Sequence, residues 1–221
     1  MKALPEQVDP SSWEEMGYRA WWHPAERRGY SGGLLLSKVE PLEVMNGLGN
    51  PQFDIEGRVI QALFSDFVLV SAYFPNSGRK GARLDYKLAF DDAFLALVDR
   101  LREQGQTVVF MGDLNVAHRE IDIARPEENT GVAGWLPEER DWFERCTNKG
   151  WVDTFRDRYP DATEAFTYWE PWRERRARNI GWRIDYVCVD EATVPSVEDV
   201  FIESDVMGSD HCPVGILLSA P

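Results

Sequence analysis

The sequence predicts an α/β fold in which sheets pack together and helices lie outside them. Three observations carry this. Short apolar runs recur between polar turns, strand-like runs outnumber helix-like ones, and the helices fall between strands. No internal repeat, low-complexity tract or linker rich in Gly, Ser or Pro divides the 221 residues, which suits one domain over 1–221. Apolar residues make up 43% of the chain, enough to bury a sizeable core.

Taken in order, GGLLLS (32–37), RVIQALF (58–64) and FVLVSAY (67–73) read as strands, rich in the branched and aromatic residues that suit a pleated surface. Residues 83–104 read as a helix, with Leu84, Leu88, Phe94, Leu95, Val98 and Leu101 at helical spacing. TVVFM (107–111) is a buried strand. Pro137 opens a second helix, PEERDWFERCTNKG, and Gly150 stops it. IDYVCV (184–189), VEDVFIE (197–203) and VGILL (214–218) complete the strands.

Composition excludes several function classes. No run is apolar enough to span a bilayer, and the N-terminal MKALPEQVDP lacks the apolar core of a secretory signal. A cytoplasmic protein with no membrane partner is expected. Cys146, Cys188 and Cys212 are odd in number and far apart, so neither a disulfide framework nor a zinc site is expected. The net charge of −14 argues against a polyanionic partner, but its distribution is uneven. Five arginines fall between Arg173 and Arg183, and Arg79, Lys80, Arg83 and Lys87 form a second basic run. Fields of distant acids are screened over about 8–10 Å. Each basic run is thus either a solvated surface or a nucleic-acid contact.

Three segments carry candidate chemistry. In VVFMGDLNVAH (108–118) a buried strand runs into Asp113 and Asn115, which project to one side if the strand continues that far. The carboxylate can orient water or bind metal, and the amide can orient water or phosphate. An ordinary Asp/Asn turn is the alternative. In GSDHCP (208–213), Asp210 is a potential metal ligand beside His211, a potential base or phosphate contact. In GWRIDY (181–186), Asp185 sits at the start of an apolar strand, where a charge is costly unless paired. Pairing with His211 would set that histidine's tautomer and favour its charged form, and a backbone hydrogen bond is the alternative.

Together with these segments, GYSGG (29–33), FDIEGRVI (53–60), YFPNSG (73–78), RLDYKLAF (83–90), EIDIARPEEN (120–129), AGWLPEER (133–140), GWVDTFR (150–156) and FTYW (166–169) cover nearly the whole chain. In this order they resemble the exonuclease III-type abasic-site endonucleases of the endonuclease/exonuclease/phosphatase superfamily. GDxN and SDH are shared across that superfamily, and YFPN, AGWLPEER and GWRIDY narrow the match.

The resemblance implies a four-layer α/β/β/α sandwich and a Mg²⁺-dependent enzyme, with Mn²⁺ as a substitute. The reaction implied is hydrolysis of the DNA phosphodiester 5′ to an abasic sugar, with 3′→5′ exonuclease and 3′-end cleaning at the same site. It implies that Asp113 activates water, Asn115 helps place it, His211 contacts the scissile phosphate and Asp185 orients His211. Asp210 would lie beside the metal with Asp113 and Asn115, and Tyr73 would touch the phosphate or assist the leaving oxygen. Tyr168, Trp169 and Trp182 would line a pocket for a sugar without its base, which is the nucleotide cheapest to extrude. Arg58, Asn76 and Arg79 would hold the DNA backbone. Double-stranded DNA is the implied partner, and the protein is expected to act as a monomer.

The family pattern begins with two core strands, one carrying a Trp-Asn run and one ending in Gln-Glu-Thr-Lys, whose Glu is the principal metal ligand. Lys2 aligns with that final Lys, so Met1 stands at the Thr and the first two core strands are expected to be absent. Truncation, a natural variant completing its site differently, and an inactive descendant each account for this. Intact downstream motifs favour truncation. Two other functions remain open on sequence alone: another phosphodiesterase of the superfamily, and a catalytically impaired DNA-binding homologue.

Overall fold

The structure, a computed structural model, describes residues 2–219, so Met1 and its alignment lie outside the described residues. The chain falls into two compact units. The first takes residues up to Tyr73 together with Ala93–Met111, and the second takes Phe74–Asp92 and the chain from Gly112 onward.

In the first unit a short helix α1 (Ser11–Glu14) precedes a hairpin of β1 (Arg19–Pro24) and β2 (Gly32–Ser37), in which Trp21 faces Leu35 and Trp22 faces Leu34. β3 (Glu43–Asn46), β4 (Val59–Leu63) and β5 (Val68–Tyr73) then form an antiparallel sheet, with Glu43 opposite Leu63 and Val59 opposite Ala72. β4 is buried on both faces: Val59, Ile60 and Ala62 are apolar, and Gln61 between them donates its side-chain amide to Gly47 O at 2.7 Å. Between β3 and β4 lies α2 (Pro51–Asp54), started by Pro51 and capped by the Asn50 side chain, which accepts from Gln52 N at 3.1 Å. Gly57 follows at φ +61, and a Cβ there would stand 2.4 Å from His23 O. Only glycine tolerates both the left-handed backbone and that approach. Helix α3 (Leu84–Glu103) begins in the second unit and ends in the first, where Phe94 meets Phe110 of β6 (Val108–Asp113) edge to face.

The second unit contains α4 (Pro137–Asn148), β7 (Trp151–Asp153), α5 (Thr154–Arg158), β8 (Asp185–Asp190), β9 (Val197–Ile202) and β10 (Val214–Leu218). β7 pairs with β8 and β9 with β10, both antiparallel. α4 starts at Pro137, and Glu139 reaches back to accept from Gly134 N at 2.6 Å and Leu136 N at 3.0 Å. Its inner face buries Trp142, Phe143 and Cys146. No helix among the described residues is long and apolar enough to cross a membrane.

Every strand and helix expected from the sequence forms within a few residues of its expected bounds. β1, β3, β7 and the short helices were not expected. Arg19–Pro24 has no clean alternation and ends in proline, so its strand state comes from pairing with β2. β3 and β7 are four and three residues long, too short to show a period.

Candidate active site

Asp113, the last residue of β6, lies in the second unit, and the chain then turns sharply. Asn115 takes a left-handed conformation, φ 51, a state asparagine tolerates better than most residues. The turn closes on itself: Asn115 N donates to Asp113 Oδ1 at 2.8 Å and Asn115 Nδ2 to Asp113 Oδ2 at 3.0 Å. Asn115 Nδ2 also reaches Phe74 O at 3.1 Å, while Asn76 Nδ2 donates to Asn115 Oδ1 at 2.9 Å. Asp113 and Asn115 thus share one side, locked together rather than projecting independently. Burial pushes the Asp113 carboxyl up to about 7, and the charge of Asp185 adds to that, against the pull of His211, the Asn115 amide and Lys87.

Asp185 opens β8, and His211 ends the turn before β10. His211 Nδ1 lies 2.8 Å from Asp185 Oδ2, so the pair anticipated from sequence exists. Thr167, fully buried, fixes this corner: its hydroxyl accepts from Ile184 N at 3.0 Å and Asp185 N at 3.2 Å, and its carbonyl from Cys212 N at 2.8 Å. Burial opposes charge on His211, but the hydrogen bond and charge of Asp185, helped by Asp113 and Asp210, outweigh it and raise the imidazole to about 9. His211 is an imidazolium at neutral pH.

An aromatic floor adjoins this pair. The Tyr168 ring centroid lies 4.8 Å from that of His211. Tyr168 and Trp182, both partly buried, pack on Ala117, Ile123, Trp135 and Ile184. Trp182 and Tyr168 are joined by reciprocal backbone hydrogen bonds of 2.9 Å.

Other sequence-level expectations are corrected. Trp169 is 2% exposed, packed with Phe166 and Cys212, its indole N–H donating to Asn179 Oδ1 at 3.0 Å, so its ring is mostly buried rather than an open pocket face. Arg58, in the first unit, is 4% exposed. Its guanidinium serves Glu56 Oε2 at 2.6 Å and the Tyr73 carbonyl at 2.9 Å, so it is turned into the protein instead of toward a phosphate. Tyr73 lies in that unit with Arg58 at 4.7 Å over its ring. Asn76, Arg79 and Asp210 are exposed. His118 is buried on Phe143, its Nε2 2.8 Å from Glu144 Oε2.

Sequence reasoning missed the groups beneath the site. Arg183, counted there in a basic run, is 1% exposed and binds Asp122 at 2.8 Å and Asp153 at 2.7 Å, while Arg156 binds Asp122 at 2.6 Å. Arg176 spends its guanidinium on the carbonyls of Ser204, Val206 and Ser209, bracing the turn that ends at Asp210. The only available signal was that Thr167, Asp122 and Arg183 lie inside the quoted motifs.

Asp113, Asn115 and Asp210 supply oxygen donors, the kind a hard divalent cation takes. Among the described residues, no three His, Cys, Asp or Glu side chains gather closely enough to hold a metal between them. These two facts suit an ion bound through one or two carboxylates with water and substrate oxygens completing its shell, the usual state of Mg²⁺. The Asp113 carboxyl is pushed up chiefly by burial and then by Asp185, and a bound cation would offset both.

The model of the Endonuclease/Exonuclease/phosphatase family matches residues 3–211. The DNA repair nuclease APEX1 of Danio rerio is 43% identical over 218 residues, which cover 99% of this chain and 69% of that protein. The exodeoxyribonuclease of Bacillus subtilis (strain 168) is 44% identical over 202 residues, 91% of this chain and 80% of that one. The crystal structure of an AP endonuclease from Leishmania major matches with a TM-score of 0.84 at 31% identity, covering 97% of this chain and 75% of that one.

Proposed function

The chain belongs to the endonuclease/exonuclease/phosphatase family and shares its α/β sandwich fold, and from that premise we propose that it is a DNA repair nuclease cutting the phosphodiester 5′ to abasic sites in duplex DNA. Relatives at 43% and 44% identity named as a DNA repair nuclease and an exodeoxyribonuclease support hydrolysis of DNA. The observation that carries the reading is the Asp185–His211 pair, which sets a charged imidazolium beside Asp113 at the edge of an aromatic floor.

In this mechanism the His211 imidazolium donates to a non-bridging oxygen of the scissile phosphate, and Asp185 holds it charged and aimed. Asp113, half-buried where β6 ends and held by the Asn115 amide, is placed to take a proton from the attacking water. Asn115, itself steadied by Asn76, holds Asp113 in place. Water oxygen bonds to phosphorus as Asp113 takes its proton, the bond to the 3′ oxygen of the preceding nucleotide breaks, and that oxygen takes a proton from solvent to leave as a 3′ hydroxyl. Mg²⁺, or Mn²⁺ in its place, held by Asp113 and Asp210 with Asn115 nearby, would supply charge neutralisation on the phosphate oxygens. The Tyr168–Trp182 floor suits an extruded sugar lacking its base, because extrusion is cheapest where stacking and pairing are already lost. The same residues, acting at a strand end, account for 3′→5′ exonuclease and 3′-end cleaning activity.

The test is a duplex with one synthetic abasic site, incubated with this chain and Mg²⁺, with EDTA as the control. A single cut 5′ to the site, lost in EDTA and lost in His211→Ala, is expected. Metal-independent binding of the duplex without any cut would replace this reading with a DNA-binding homologue.

A further inference from the structure

The turn that carries Asp113 and Asn115 has a left-handed residue at its apex, and such a turn persists only when its surroundings hold it. Its partners include Asn76, Phe74 O, the turn's own amides and Ile184 O, which accepts from Leu114 N at 2.9 Å. A further one is a buried cation. Lys87, on the first turns of α3, is fully buried, and its Nζ donates to Leu114 O at 2.9 Å, the carbonyl between the two site residues. The same ammonium stands 3.4 Å from Asp91 Oδ2, one helical turn on, and 5.4 Å from the centre of the Phe74 ring. Phe74 in turn donates its N–H to Asp113 O at 2.8 Å. One buried cation therefore braces both chains that form the turn, through Leu114 on one side and Phe74 on the other.

We propose that Lys87 is a positioning residue that holds the Asp113–Asn115 turn in its reactive shape, acting through the Leu114 carbonyl. Being fully buried, it cannot touch DNA, so its place in the basic run of residues 79–87 is misleading. A buried ammonium is expensive to desolvate, and a plain helix–helix contact would be served better by leucine or methionine. The arrangement is explained if the position needs a donor long enough to reach Leu114 O from the helix. The inference about rate rests on the nuclease reading above, and the inference about shape does not.

The test uses paired replacement, because removing one member of a buried ion pair leaves the other charge uncompensated, whereas replacing both by apolar residues is often neutral to stability. In Lys87→Met/Asp91→Leu the chain is expected to fold with an unchanged denaturation midpoint. The Asn115 amide, which is bonded to Asp113 Oδ1, is expected to exchange with solvent at least tenfold faster, while the Phe143 amide is unaffected. On the abasic duplex, kcat is expected to fall about 100-fold with KM unchanged, the size expected when catalytic groups drift by about 1 Å. Asp91→Asn alone, which leaves Lys87 without a countercharge but still within reach of Leu114 O, is expected to lower the denaturation midpoint while preserving Asn115 protection. Unchanged Asn115 exchange in the double variant overturns the proposal whether or not the wild-type chain cuts DNA. If the wild type cuts nothing but the Asn115 amide is loosened, the positioning role stands and the nuclease reading falls.

Discussion

A histidine among three carboxylates keeps its proton well past neutrality, and here Asp185 does most to keep it. Asp185→Asn should remove both the strongest hydrogen bond and the nearest negative charge from His211. Its pKa, followed by NMR in metal-free protein, should drop from about 9 toward or below the ordinary value of about 6.5. A value still near 9 would contradict the assignment. The stability consequence has a definite sign. A group whose folded pKa is raised stabilises the fold fully below its unfolded pKa and loses that contribution as pH rises through the folded one. Wild type should thus exceed Asp185→Asn in urea resistance at pH 6, and the gap should close above about pH 9. Arg183 makes a second residue-scale case. In Arg183→Met, Arg156 still serves Asp122, but Asp153 loses its bidentate partner in the interior. A loss of about 3–5 kcal/mol is expected by chemical denaturation, the usual cost of breaking a buried pair from one side. A loss below about 1 kcal/mol would mean that the network is solvated.

At the scale of the element, what the sequence displays is periodicity and punctuation, and these were sufficient for α3, α4 and the long strands. The helical spacing of Phe94, Leu95, Val98 and Leu101 and the Pro137 and Gly150 boundaries have local physical causes, so they are legible locally. Asp113, Asn115, Asp185 and His211 were legible as motifs, and the cost of a charge at a strand start left two partners open for Asp185, of which the structure shows His211. Direction and burial were not legible. Arg58, Trp169, Lys87 and Arg183 belong to types usually counted as surface or pocket residues, and their burial depends on partners far along the chain. Gly57 shows what a local rule can still predict. Its left-handed φ and the closeness of His23 O forbid a side chain, so Gly57→Ala should cost more than about 1 kcal/mol. Thermal unfolding measures it, and an unshifted midpoint would show that the turn relaxes freely.

At the scale of the whole molecule, a charge of −14 sets how this protein can hold a polyanion. Long-range attraction is unavailable, so affinity must come from a small number of local contacts, each releasing counterions from the phosphates it meets. Several of its arginines are committed inside the protein: Arg58, Arg156, Arg176 and Arg183 all serve carbonyls or carboxylates. Arg79, exposed next to the loop that bears Asn76, is a cation left to face solvent on that segment. Binding of an abasic duplex, measured in EDTA across a salt series, should therefore weaken along a shallow line of log affinity against log salt. Arg79→Ala should flatten that line by about one phosphate's worth, roughly 0.9 in slope, and should weaken intact and abasic duplexes alike, because a phosphate contact positions without selecting. A variant that loses only its preference for the abasic duplex, at unchanged slope, would instead put Arg79 in the pocket.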